Sequence, residues 1–331
     1  MTRWIILAPL SAFMAGVACA RAGAPTAPAT TAPVHGLADT CRVRETFATE
    51  GLIDEHHFAA DGRILVNVYE GSGRRGREDF SYDDKGRLVR QKSRQEEDEV
   101  RRPHPSPLDR AASTSEEIIV YAYDEQGRKT QATITSHDDA PGVAPSSTRS
   151  ENRHYDDAGR LILIERTGGA YDGVSARFLY DGAHLVEERH EVKGRVVSSR
   201  KLSYEHGRLA KEEMTGENLG TARYAYTFDA AGRLTSKDLV GNGGPMPWQR
   251  LEYDGAGRII RYTDRDLWTR YQYDAEGRIQ RIEHSSTAPQ TFEYDASCTA
   301  KNTALLLPNP IRWILESPDT LVAEIGRSRF H

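Results

Sequence analysis

The 331-residue sequence is short of the features that assign a chain quickly to a function. It has three cysteines, too few for a disulfide-dense scaffold. Beyond residue 17 there is no run apolar enough to cross a bilayer as a helix. Its 44 Lys and Arg and 49 Asp and Glu are interspersed. Without a clustered basic face, no nucleic-acid partner is expected. A Gly-x-Ser-x-Gly nucleophile elbow is absent, and no carboxylate pair stands apart from the many charged positions. Gly241-Asn242-Gly243-Gly244 lacks the Lys and hydroxyl residue of a phosphate loop. His190-Glu191 begins like a zinc-protease helix, but Gly194 stands where the second His is required. Glu55-His56-His57 offers metal ligands, yet adjacent residues of a strand point to opposite faces, so the two histidines read as solvated. No enzyme, no metal site and no cofactor are expected.

What is present begins with an address. Arg3 precedes an apolar stretch from Trp4 to Val17, followed by small residues, so residues 1–20 read as an export signal peptide. Ala18-Cys19-Ala20 fits ordinary signal peptidase cleavage after Ala20. Gly16-Val17-Ala18-Cys19 is similar to a lipobox, with lipidation on Cys19, although Gly16 replaces the usual Leu. The Ala, Pro and Thr of residues 21–40 cannot bury much apolar surface and suit an extended tether, which favours the lipoprotein reading. The expected location is the outer membrane or periplasm as a lipoprotein with a membrane lipid anchor, or secretion. Either way Cys41 and Cys298 remain, a candidate disulfide in an oxidising compartment.

Between those cysteines lies a repeat. Tyr82-Asp83-Asp84-Lys85-Gly86-Arg87-Leu88 recurs as Tyr155-Asp156-Asp157-Ala158-Gly159-Arg160-Leu161 and Phe228-Asp229-Ala230-Ala231-Gly232-Arg233-Leu234. It returns with Tyr253, Asp254, Gly257, Arg258 and Ile259, and with Tyr273, Asp274, Gly277, Arg278 and Ile279. Tyr123 to Lys129 and Phe58 to Ile64 are variant copies, and Tyr294-Asp295 opens a last, incomplete one. Most starts lie about 20 to 25 residues apart, room for one hairpin per unit. Asp followed three residues later by Gly suits a type I turn with Gly in a positive-φ bulge. Pairing outward from that turn sets Tyr82 opposite Leu88 on one face and leaves Asp and Arg to the other. The shortened copies Tyr204 to Leu209 and Tyr180 to Leu185 keep an aromatic opposite an aliphatic residue.

Alternation agrees with half-buried strands: Ala222, Tyr224, Tyr226 and Phe228 share a face. Ile279 and Ile282 would fall on opposite faces. The repeated tyrosines could stack on sugars, but packing against Leu and Ile as a buried layer is favoured. Trp248, Trp268 and Trp313 lie outside the motif and are candidates for a binding surface. Glu96 to Asp109 and His137 to Ser147 read as inserted loops. The expected domains are the signal peptide 1–20, the tether 21–40, a repeat domain 41–298 and a C-terminal capping tail 299–331 with short helices over 311–316 and 319–327.

This unit resembles the YD repeat of Rhs proteins and of the shell-forming components of insecticidal toxin complexes, over about Phe58 to Asp295. The resemblance implies an all-β antiparallel meander of YD-repeat hairpins forming a curved or spiralling sheet, with a helical or irregular tail. This chain has far fewer repeats than a closed shell, and neither a recognisable autoproteolytic core nor a toxin domain. Encapsulation of a cargo is therefore not expected. The expectation is a non-enzymatic envelope or surface scaffold that binds a protein or glycan through its loops. The alternatives are an accessory, chaperone or neutralising protein of an Rhs-type toxin system, and a surface hydrolase.

Overall fold

The computed structural model describes residues 40–48, 51–71, 73–98, 112–139, 146–217 and 220–299. The export segment with Cys19, nearly all of the tether, most of the Glu96 to Asp109 loop and the tail from residue 300, with Trp313, lie outside the described residues.

Twenty antiparallel strands follow one another along the chain. The first is β1 (Cys41–Phe47). Nine hairpins follow, each closed by a copy of the repeat or its shortened form. They are β2 (Ile53–Phe58) with β3 (Ile64–Gly71), β4 (Arg74–Tyr82) with β5 (Leu88–Glu97), and β6 (Ser113–Tyr123) with β7 (Lys129–Asp138). Next come β8 (Ser146–Tyr155) with β9 (Leu161–Thr167), β10 (Val174–Asp181) with β11 (His184–Val192), and β12 (Arg195–Glu205) with β13 (Arg208–Gly216). The last are β14 (Gly220–Phe228) with β15 (Leu234–Gly241), β16 (Gly244–Tyr253) with β17 (Ile259–Asp264), and β18 (Leu267–Tyr273) with β19 (Ile279–His284). The chain then forms β20 (Gln290–Tyr294). A single 3-10 turn, Gly169–Tyr171, is the one helical element among the described residues.

The inserted loops are bounded differently from the sequence reading, and the second is shorter. Glu96 belongs to β5, His137 and Asp138 to β7, and Ser146 and Ser147 to β8.

Each strand pairs with the next, and β1 pairs with both β2 and β20. The sheet is therefore a closed 20-stranded barrel, a correction to the open, spiralling sheet expected from the repeat. The cause is β1, which carries no repeat motif yet presents two strand edges. One takes β2, with Glu45 opposite Asp54, and the other takes β20, with Val43 opposite Tyr294. Closure satisfies backbone groups that an open edge would leave to water or to another chain. Cys41 and Cys298 form a disulfide across this seam, their Cα atoms 4.8 Å apart.

The repeat turns join even strands to the following odd strands and so share one rim; the return connections occupy the other. Along each strand, one face turns inward. The larger apolar cluster lines the inward face from β14 round the seam to β2, with Val43, Phe58, Leu251, Tyr271, Ile279 and Ile282 among its buried members. A smaller one, Ile119, Tyr121, Ala132 and Ile134, lies on β6 and β7. Outward positions such as Lys201, Lys211, Glu213 and Arg223 are charged. That pattern is the reverse of the apolar outer band of a lipid-facing barrel.

Ile279 and Ile282 share the inward face, contrary to strict alternation. The register shift at Gln272/Tyr273 sets Tyr273 opposite Ile279 and Tyr271 opposite Ile282, so the bulge absorbs one residue.

Candidate functional site

The repeat rim is built from short-range chemistry. In the second hairpin, Gly86 N donates to Asp83 O at 3.0 Å and Asp83 N to Arg87 O at 2.9 Å, with Gly86 at φ 76°. This is a type I turn closed by a glycine bulge, a backbone conformation costly for a residue with a Cβ. Asp83 Oδ1 accepts from Arg87 N at 2.8 Å, and Arg87 Nε donates to Asp83 Oδ2 at 2.7 Å. The same side-chain bond joins Arg160 to Asp156, Arg258 to Asp254 and Arg278 to Asp274. The Arg160 guanidinium holds the Asp156 carboxyl below the usual carboxylate range.

The arginine does not keep to the face opposite the tyrosine, as alternation alone would have it. It folds over the aromatic ring of the next hairpin: Arg87 lies 4.7 Å from the Tyr123 centroid, Arg128 4.8 Å from Tyr155 and Arg258 4.5 Å from Tyr273. Each such contact is worth about 0.5–1 kcal/mol where exposed. The tyrosine hydroxyl in turn donates to the carbonyl of the first residue in the preceding hairpin's second strand. Tyr82 reaches Ile64 O at 2.8 Å, Tyr155 reaches Lys129 O at 2.8 Å, Tyr253 reaches Leu234 O at 2.7 Å and Tyr273 reaches Ile259 O at 2.7 Å. Tyr, Asp, Gly and Arg thus form one coupling device between neighbours. It occupies both the ring face and the hydroxyl that a sugar would use.

Inward, past the tyrosines, lies a belt of buried charge. Glu212 accepts from Arg200 at 3.2 Å, pairs with Lys237 Nζ at 3.3 Å and accepts from the Tyr226 hydroxyl. Burial would raise its pKa, but Lys237 and Arg200 outweigh that and hold it below the ordinary value. Glu151 is balanced likewise by Arg153 at 2.8 Å and Arg166 at 3.3 Å. His190 pairs with Glu188 at 3.0 Å rather than serving a catalytic helix.

On β1 and β2 the belt changes character. Glu45, Asp54 and His56 face inward together, their nearest ligand atoms all within 4.8 Å of one another. His56 Nε2 lies 3.6 Å from Glu45 Oε2. Asp54 is 1% exposed, and neither of its carboxylate oxygens has a hydrogen-bond partner. Burial above all, with the Glu45 and Glu78 charges, pushes its pKa up to about 8. The sequence reading of His56 and His57 as solvated is corrected: both are buried, at 1% and 7% exposed, because their hairpin forms part of the closed wall. Sequence reasoning missed Glu45 and Asp54. The available signal was Asp54-x-His56, which puts two ligating side chains on one face of a strand, but Glu45 joins them only through the β1–β2 register.

Of the tryptophans proposed for a binding surface, Trp268 lies outward and half-buried between the guanidiniums of Arg261 and Arg270, at 5.9 and 4.9 Å from its ring. Trp248 packs edge-on against Tyr224, with Arg265 5.1 Å from its ring.

Residues 253–290, which hold the turns at Tyr253 and Tyr273, match the RHS repeat family. That segment is an RHS-type YD repeat. Other hairpins stack a side chain on the next ring in the same way. His184 stands in for Arg and packs against Tyr204 at 4.5 Å, and Phe228 stands in for Tyr beneath Arg208 at 5.8 Å. No curated protein matches the sequence. Among solved structures, a porin-like protein from Bacteroides uniformis is similar at 10% identity and a TM-score of 0.37, over 77% of this chain and 97% of that one.

Proposed function

We propose that this protein is a non-enzymatic scaffold of the cell envelope, exported through residues 1–20 and held there by lipid on Cys19. Its return rim binds a protein or glycan partner. The observation that supports this reading is the difference between the two rims. The YD turns at Asp83, Asp156, Asp254 and Asp274 spend their polar side chains on their own backbone and on the adjacent Arg. The return connections vary freely, from Lys193-Gly194 between β11 and β12 to the long span between Glu97 and Ser113. The two longest, after β5 and after β7, are separated on the rim only by the β6–β7 hairpin. Variable connections on a rigid frame are where binding specificity is carried.

The test is capture of envelope partners by the exported protein and by a variant with 99–111 replaced by a short Gly-Ser linker. Loss of a specific partner with unchanged thermal unfolding is the expected result. Identical partner sets from both proteins would remove the return rim from the proposal. Equal fatty-acid labelling of the wild type and Cys19→Ala would remove the anchor.

A further inference from the structure

We propose that Glu45, Asp54 and His56 form a binding site for a divalent first-row transition metal, zinc being the best fit, on the inward face at the barrel seam. This goes beyond the scaffold reading and does not depend on it.

The register brings the residues together. Glu45 on β1 lies directly opposite Asp54 on β2, and Val43 lies opposite His56, so the two carboxylates share one rung and the imidazole stands one rung along on the same face. The 3.6 Å between His56 Nε2 and Glu45 Oε2 is close to the separation of two ligands in a tetrahedral zinc site, about 3.4 Å for bonds of about 2.0–2.1 Å. The group closes to chelation distance through side-chain rotation, because its nearest ligand atoms already lie within 4.8 Å of one another.

The charge balance points to a cation. The buried carboxylates of Glu212 and Glu151 are each neutralised by two basic side chains. Among the described residues, Glu45 and Asp54 have no Lys or Arg ion pair, and both Asp54 oxygens lack any hydrogen-bond donor. A carboxylate buried without donors is costly by several kcal/mol, and a second carboxylate on the facing rung adds repulsion. A divalent ion removes both costs. The neighbouring groups do not supply that charge. Asn67, across from His56, turns its amide nitrogen toward Glu78 at 3.5 Å and leaves its Oδ1 buried without a donor. Glu78 is itself buried and acidic. Tyr69 lies across from Asp54, over Gly76, where a Cβ would stand 2.1 Å from its ring. One imidazole nitrogen with two carboxylate oxygens is a zinc- or manganese-type donor set.

The full exported chain, disulfide intact, is stripped with a chelator and titrated with ZnCl2 by calorimetry. It is compared with Asp54→Asn and His56→Gln, whose folding is checked by far-ultraviolet circular dichroism. One zinc per chain, weakened at least a hundredfold in both variants, is the expected result. No stoichiometric binding, or equal binding by the variants, would overturn the proposal. Should a variant fail to fold, the visible spectrum of the Co2+-loaded wild type decides. Intense four- or five-coordinate bands support the site, and the weak spectrum of hexa-aqua Co2+ overturns it.

Discussion

The seam of the barrel and its repeating wall solve the same problem by different means. In the wall, from β4 to β13, each hairpin grips its neighbour through the tyrosine hydroxyl and a cationic or aromatic side chain over the ring, as at Tyr123, Tyr155 and Tyr204. Every increment is small, and the buried Glu151, Glu188, Glu191 and Glu212 along it are paired. At the seam no repeat precedes β1. Closure there uses an apolar cluster centred on Val43, Phe58 and Ile279, the Cys41–Cys298 disulfide, and buried acids without a Lys or Arg partner among the described residues. A repeat can propagate by many weak contacts, whereas joining its two ends brings together residues from opposite ends of the domain and takes stronger, singular ones.

Five experiments test that contrast. Phe58→Ala removes a side chain that is 0% exposed at the seam. A loss of about 3–5 kcal/mol is expected in urea unfolding. A cost below about 1 kcal/mol would mean that the seam core does not hold the ring. Cys41→Ser with Cys298→Ser opens a crosslink spanning 257 residues. Chain entropy gives about 5 kcal/mol as an upper figure and native disulfides usually return about 2–5. Reductant should reproduce the effect in the wild type and leave the double variant unchanged.

In the wall, Tyr155→Phe deletes one hydroxyl bond to Lys129 O and should cost about 1 kcal/mol. Phe228 already shows that the ring alone is tolerated, so Phe228→Tyr should restore a fraction of that amount; a destabilisation would show that the coupling device is not transferable between repeats. A further expected effect concerns protons. Asp54 has its folded pKa raised to about 8 from 3.8, so its ionisation opposes folding. In metal-free protein this contribution is most favourable below pH 4 and is lost as pH rises from 4 through 8. The groups facing it are Glu45, His56, Tyr69 and Glu78. Asp54→Asn should flatten the unfolding profile across that window, and an unchanged slope would locate the pH sensitivity elsewhere.

Much of this was legible in the chain. Asp three residues before Gly set the turn, and the turn set Tyr82 opposite Leu88 and Tyr204 opposite Leu209, whatever its length. A bulge just beyond the turn, after Ile279, takes β19 out of simple alternation. It shifts the departing strand by a residue, so Ile279 and Ile282 share a face that simple alternation divides between them. His56 was misread for another reason: exposure is a property of the assembled wall, and nothing in Glu55-His56-His57 announces that both faces of that strand become covered.

The hairpin, its turn and its cross-strand pairs can be read from the chain, because they depend on residues within a few positions of one another. The tertiary structure alone decided that β1 meets β20, that the sheet closes rather than spirals, and that Glu45 and Asp54 share a rung with His56 beside them. Those outcomes depend on contacts between distant segments, whose pairing is set by edge satisfaction and shared burial rather than by any local pattern.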